Sequence, residues 1–294
     1  MLETLLLTAL VLTPPASLTG HAGALVGDKV FVTGGMGQRN EGHFFRETWL
    51  VDPLKREWVP LPGPKVARGM AAAAELNGSV YLVGGFTWSG ETLNSVERFD
   101  LKTGGWSEVA SLKIPRSRLS VAALNGKLYA VSGMEGERHG NEPLNTPSIE
   151  EYDPAKNVWR PVGALNHARH GFALAPCHRR IYVFGGNDRE TQRSVEVWDP
   201  KTGKSADLPD MPVSRGFGGV VIRNGLIVCF GGFPLDSHPS VFNPVTATWK
   251  DAATPEIEIR RMVSFVVMGK LWTIGGEGRT PIPIIQPFDI SSWR

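Results

Sequence analysis

An apolar run that ends in a paired glycine, or in its near equivalent Ser132-Gly133, recurs six times along the chain, and no other feature restricts the possible folds so strongly. The runs are Val30-Phe31-Val32-Thr33-Gly34-Gly35, Val80-Tyr81-Leu82-Val83-Gly84-Gly85, Leu128-Tyr129-Ala130-Val131-Ser132-Gly133, Ile181-Tyr182-Val183-Phe184-Gly185-Gly186, Ile227-Val228-Cys229-Phe230-Gly231-Gly232 and Leu271-Trp272-Thr273-Ile274-Gly275-Gly276. The first member of each pair stands at 34, 84, 132, 185, 231 and 275, so the steps are 50, 48, 53, 46 and 44 residues. A period of this size marks a repeat architecture, in which each unit is one supersecondary element that buries its apolar surface against its neighbours. Six such units use up the 294 residues. Residues 1–294 are therefore expected to form a single domain without a linker.

Each unit reads as four short strands. In the second, the apolar stretch 69–76 is followed by Asn77-Gly78, a hairpin turn signal because both residues tolerate positive φ. The run into Gly84-Gly85 is the second strand. Ser95-Val96-Glu97-Arg98-Phe99 alternates as a third. Asp100 then opens a turn, and Trp106 opens a fourth strand. Asn-Gly recurs at Asn125-Gly126 and Asn224-Gly225. A turn residue precedes a tryptophan by six positions in Asp52 and Trp58, Asp100 and Trp106, Asp153 and Trp159, and Asn243 and Trp249. The fourth unit keeps Asp199 but has Ser205 in place of the tryptophan, and the sixth has Asp289 with Trp293. Asp and Asn suit such turns because their side chains bond the backbone two residues on. The tryptophans, Trp106 among them, are expected to be buried between adjacent sheets.

The apolar-Gly-Gly run, the aromatic-Asp-Pro turn of Tyr152-Asp153-Pro154 and Trp198-Asp199-Pro200, and the tryptophan at fixed spacing together resemble the Kelch family over nearly the whole chain. The resemblance implies an all-β fold, a six-bladed β-propeller with four antiparallel strands per blade. Trp198-Asp199 could suggest a WD40 propeller, but it occurs once, where other units have Tyr152-Asp153 and Phe99-Asp100. The repeats look most like those of BTB–Kelch ubiquitin-ligase substrate adaptors, although this sequence shows no BTB or BACK segment before the propeller.

The ends of the chain suggest how the ring closes. Thr8 aligns with Trp58 by the 50-residue step, so residues 5–12 are expected to supply the fourth strand of the last blade and remove an open edge. The same apolar segment could be the core of a signal peptide. The leader before it, however, holds Glu3 and no Lys or Arg, and the run is too short to span a bilayer. With 31 basic and 29 acidic residues the net charge is +2, which gives no footprint of nucleic-acid binding. Cys177 and Cys229 are the two cysteines, too few for a disulfide framework or a zinc site. These features lead to the expectation of a cytoplasmic, monomeric propeller with no cofactor and no membrane partner.

Strand direction separates the two ends of the propeller. Asn-Gly and Asp turns share one end, while the loops after Gly-Gly and the links between blades share the other, where variable loops on a rigid scaffold favour binding. Those loops carry Arg39, Phe44, Trp88, Arg138 and Arg189, and aromatics beside arginines are typical of binding hot spots. Each blade also begins with an arginine: Arg68, Arg116, Arg169 and Arg215, with Arg260 one position out of register and Leu18 in the first. Repetition would place these around the channel mouth. They serve either as struts to neighbouring carbonyls or as a cationic rim for carboxylates, which Arg recognises through its fork of donors. Glu97, Glu151 and Glu196 are read as equivalent strand positions. A protein partner bound through an acidic segment, in a substrate-recognition or scaffold role, follows from the rim reading.

Some Kelch-like propellers are enzymes, and each such chemistry needs its own residues. The four tyrosines, Tyr81, Tyr129, Tyr152 and Tyr182, sit at repeat positions inside strands, which does not suit copper ligation of the galactose-oxidase type. Neither the iron motif of plant specifier proteins nor a nucleophile or phosphate-loop motif occurs. The remaining alternative is a secreted or periplasmic carbohydrate-active enzyme of the sialic-acid mutarotase type, with a sugar site made from loop Arg, His and Glu groups.

Overall fold

The computed structural model describes residues 18–37, 44–136, 144–235, 238–252, 257–278 and 285–288. Six antiparallel blade sheets follow one another along the chain, two small two-stranded hairpins sit in the loops of the third and fourth, and the described residues contain no helix. It follows that no helix among them is long and apolar enough to cross a membrane. The first blade is built from Ala22–Val26, Lys29–Thr33, Thr48–Asp52 and Glu57–Leu61, hydrogen-bonded in chain order. The next four repeat this plan. The sixth shows three strands among the described residues, Val263–Val267, Lys270–Ile274 and Ile285–Phe288. The segment expected to be its fourth strand, residues 5–12, lies outside the described residues, as does Trp293.

The strand roles follow from their sequences. The second strand of each sheet has a strand on either side and a blade against either face, so it is a continuous apolar run, and all five residues of Ser79–Val83 are buried. The outermost strand faces water, and Gly105–Val109 is accordingly mostly exposed. The innermost strand lines the axis, where the sheets converge and side chains must be small. Gly219 illustrates this: a Cβ there would come within 2.7 Å of the Phe230 ring. At the opposite end, Asn77 (φ 52°) and Gly78 (φ 75°) form the turn that their dipeptide requires. His178 and Arg179 take the same left-handed pair of conformations without a glycine.

Each of the six interfaces between neighbouring blades has its own apolar cluster. Tyr81 and Leu128 share one across blades two and three, and Tyr129 and Trp198 share one across blades three and four. The ring is closed by the cluster that joins Val30 and Trp49 of the first blade to Trp272 and Ile274 of the sixth. One hydrogen bond recurs at every interface: the second glycine of the pair donates its N–H to a carbonyl at the start of the next blade. The acceptors are Arg68, Arg116, Arg169, Arg215, Ile259 and Leu18, at 2.8–2.9 Å. The first residue of the pair must let that carbonyl approach. A Cβ on Gly34 would lie 2.7 Å from the Arg68 oxygen. Ser132 occupies this place in the third blade with φ 47°, and its hydroxyl compensates by donating within hydrogen-bond range of the Arg169 and Thr146 carbonyls, at 2.8 and 2.7 Å.

Trp159 is fully buried, whereas Trp106 is only half-buried, which corrects the expectation for the latter. Trp106 sits on an outermost strand, packs on Phe31 and Phe99, and donates its indole N–H to Pro62 O at 2.7 Å in the link from the first blade. Where the fourth blade has Ser205, its hydroxyl makes the corresponding contact to Ala164 O at 2.8 Å.

Candidate protein-binding face

The arginine at the start of a blade is a strut. Arg68, Arg116, Arg169 and Arg215 are between 0 and 2% exposed. The expectation that these four form a ligand-binding rim is therefore corrected: no part of their guanidinium groups is presented to a ligand. Arg116 donates from Nη1 to the carbonyls of Ser132 (3.2 Å) and Ser148 (2.8 Å) and from Nη2 to Glu150 (2.5 Å). Arg68 does the same with Gly84, Ser95 and Glu97, and Arg169 with Gly185, Ser194 and Glu196. Each glutamate also accepts two backbone N–H groups from the link before the blade, as Glu196 does from Asn166 and His167. Burial lowers the guanidinium pKa, and the facing glutamate opposes that shift. A charge removed from water is tolerable only when it is paired and hydrogen-bonded in this way. Arg215 bonds instead to the carbonyls of Gly231 and His238.

The equivalent glutamate of the third blade is Glu150, and the register reading of Glu151 was off by one residue. Glu150 pairs with Ala130 just as Glu97 pairs with Leu82 and Glu196 with Val183, and it stands three residues before Asp153 as they stand before Asp100 and Asp199. Glu151 belongs to a different network, in which it accepts from Lys127, Tyr129 and Arg160.

Two residues beyond each blade-start position the chain turns left-handed, and the six turns form a hydrogen-bonded ring around the axis. The six positions are Gly20, Met70, Arg118, Gly171, Phe217 and Arg261, all with φ between 51° and 59°. Five hydrogen bonds run around the ring, from Met70 N to Gly20 O and onward to Arg261 N on Phe217 O, at 2.6–2.9 Å. Arg118 and Arg261 are three blades apart and so stand on opposite sides of the axis. The ring caps a central cavity of about 270 Å³, with Ser120, Phe172 and Ser264 among its lining residues.

Further out, aromatic and charged side chains gather on the same end. Trp88 is 67% exposed and stands edge-on to Phe44, with ring centroids 5.8 Å apart; Phe44 in turn meets Phe86 at 5.2 Å. The Arg118 guanidinium lies 5.8 Å from the Phe86 ring centroid. Arg261 lies over Phe217 at 4.8 Å, and Arg260 over Phe233 at 5.8 Å. His170 packs near Phe217, and its Nδ1 is 2.8 Å from the Asn145 oxygen. Burial, aided by the Arg118 charge, pushes His170 down to about 4, so it is neutral at pH 7. Arg189 is exposed at the tip of the small hairpin Asn187–Asp188 and Glu190–Thr191.

Of the positions singled out in the sequence, this face thus brings together Phe44, Trp88, Arg189 and Arg260. Arg39 and Arg138 lie outside the described residues. Sequence reasoning missed Arg118, Arg261, His170, Phe86 and Phe217. A signal for two of them was present, because Arg118 and Arg261 sit two places after Arg116 and Ile259, the strut positions of their blades.

Among the described residues, His167, Glu196 and Asp207 bring potential metal-ligand atoms within 4.8 Å of one another. Both Glu196 oxygens already accept hydrogen bonds, from Arg169, His167 N and Asn166 N. The cluster is thus an extension of the strut.

The sequence profile of the KLHDC2/KLHL20/DRC7 Kelch-repeats domain matches residues 20–232. Kelch-like protein 15 of Homo sapiens is 26% identical over 267 residues, covering 83% of this chain and 44% of the relative. Kelch-like protein 35 of Mus musculus is 30% identical over 228 residues, covering 76% of this chain and 38% of the relative. Kelch-like protein terF of Aspergillus terreus is 28% identical over 272 residues, covering 82% of this chain and 59% of the relative. The chain therefore spans less than two thirds of the length of each of these proteins. With six blades closed into a propeller, five of them carrying the Gly-Gly pair, and a profile match over most of its length, the chain belongs to the Kelch-repeat family.

Proposed function

We propose that this propeller is a non-catalytic recognition module that holds an acidic segment of a partner protein on its loop-bearing face, in a substrate-recognition or scaffold role. The supporting observation is the exposed Trp88, braced by Phe44 and Phe86 next to the Arg118 guanidinium. An aromatic anchor beside a cation on a rigid ring combines the two residue types that dominate interface energetics. The ring hydrogen bonds fix the Arg118 main chain, and a backbone ordered before a ligand arrives reduces the ordering cost of binding. Kelch-like relatives support the interaction role by family likeness.

The test is affinity capture from a lysate with wild type, Trp88→Ser and Arg118→Gln. Both variants should keep the wild-type melting temperature and lose the captured partner, and added salt should weaken the wild-type interaction. Capture by both variants at wild-type levels would sink the assignment.

A further inference from the structure

Position 277 differs in kind from its five counterparts. The residue after the paired glycine is Met36, Phe86, Met134, Asn187 and Phe233 in the first five blades, and in the sixth it is the carboxylate Glu277. It lies at the channel mouth and bridges the closing seam of the ring. Glu277 Oε1 accepts from Thr19 Oγ1 of the first blade at 2.9 Å and from Arg261 Nη1 at 3.0 Å, and Oε2 accepts from Arg260 Nε at 3.1 Å. None of the three charged side chains is sealed away: Arg260 is 32%, Arg261 20% and Glu277 30% exposed. Their charges are consequently still open to competition from solution.

We propose that Glu277 is an intramolecular stand-in for a ligand carboxylate, occupying Arg260 and Arg261 and thereby setting the affinity and charge selectivity of the binding face. This rests on the acidic-segment reading above and adds a specific control to it. Two guanidinium groups converge on one carboxylate, the arrangement that a bound acidic side chain would need. Both are held from behind by Phe217 and Phe233, so they remain in place when the carboxylate is neutralised. The mouth is therefore asymmetric, with Arg118 on one side of the axis and the Glu277-occupied pair on the other. An incoming acidic residue must displace Glu277 to use that pair, so weakly charged segments are disfavoured.

The test uses a fluorescein-labelled hexaglutamate peptide, with hexaserine as control, followed by fluorescence anisotropy at low and physiological salt. Glu277→Gln keeps an oxygen for Thr19 but removes the competing charge. It should bind hexaglutamate about five- to tenfold more tightly than wild type, with a steeper salt dependence. Glu277→Met places at this site the residue found in the first and third blades, and it decides the matter should the Gln variant not fold. Adding Arg261→Gln to Glu277→Gln should cancel most of the gain. If wild type binds hexaglutamate and neither Glu277 variant binds it more tightly, or if the gain survives loss of Arg261, the stand-in role is refuted while the acidic-segment reading stands. If neither wild type nor the variants bind, both fall together.

Discussion

Replacing Arg169 with alanine removes one of the buried struts, and its cost can be worked out from the contacts it makes. The side chain donates to His167 O at 3.1 Å, Gly185 O at 2.9 Å, Ser194 O at 3.1 Å and Glu196 Oε1 at 2.5 Å. After truncation, Glu196 is left fully buried with its two backbone donors and no counter-charge, and three carbonyls lose a partner. Breaking a buried pair from one side typically costs about 3–5 kcal/mol, because the remaining charge has no compensation. Arg169→Ala should therefore shift chemical unfolding, followed by tryptophan fluorescence, by about that amount, whether or not a partner is present. The double change Arg169→Met with Glu196→Met should recover much of the loss, since it leaves no isolated charge. A single variant within about 1 kcal/mol of wild type would refute the strut assignment, as would a double variant no more stable than the single one.

Two further outcomes follow from burial at the blade interfaces. His21 lies buried at the seam between the first and last blades, where other blades carry Leu119, Phe172 or Met262, and burial pushes its pKa down from 6.5 to about 4. The fold therefore holds it neutral while the unfolded chain can protonate it. Its contribution is complete above pH 6.5 and is lost as the pH falls toward 4, by about 3 kcal/mol at about 1.4 per unit. His21→Leu should flatten the pH dependence of unfolding between those values, and an unchanged slope would exclude His21 as its source. Trp159→Ala should cost about 3–5 kcal/mol and the half-buried Trp106→Ala clearly less, measured by the same unfolding assay. The reverse order would contradict the observed packing.

The period, the blade count and the turn chemistry were all legible in the sequence. Glycine pairs, Asn-Gly turns and apolar runs act locally, through φ preference and alternation, so each can be read without knowing its neighbours in space. The repeated arginines were equally visible, but the same spacing fits a strut or a rim. What separates the two is the direction of the side chain relative to a partner strand, and only folding brought Glu97, Glu150 and Glu196 opposite them. The slip from Glu150 to Glu151 was avoidable: Glu150 precedes Asp153 by three residues, as Glu97 precedes Asp100 and Glu196 precedes Asp199, and on a strand one residue is the difference between one face and the other. Strand polarity placed the loops after the glycine pairs at one end of the propeller, and Phe44 and Trp88 lie together there. Arg118 and Arg261 were not singled out, because they come to share one ring only when six separate stretches of chain close around one axis. Local preference thus determined what each blade is, and ring closure decided which charges are buried in the walls and which reach the loop-bearing face.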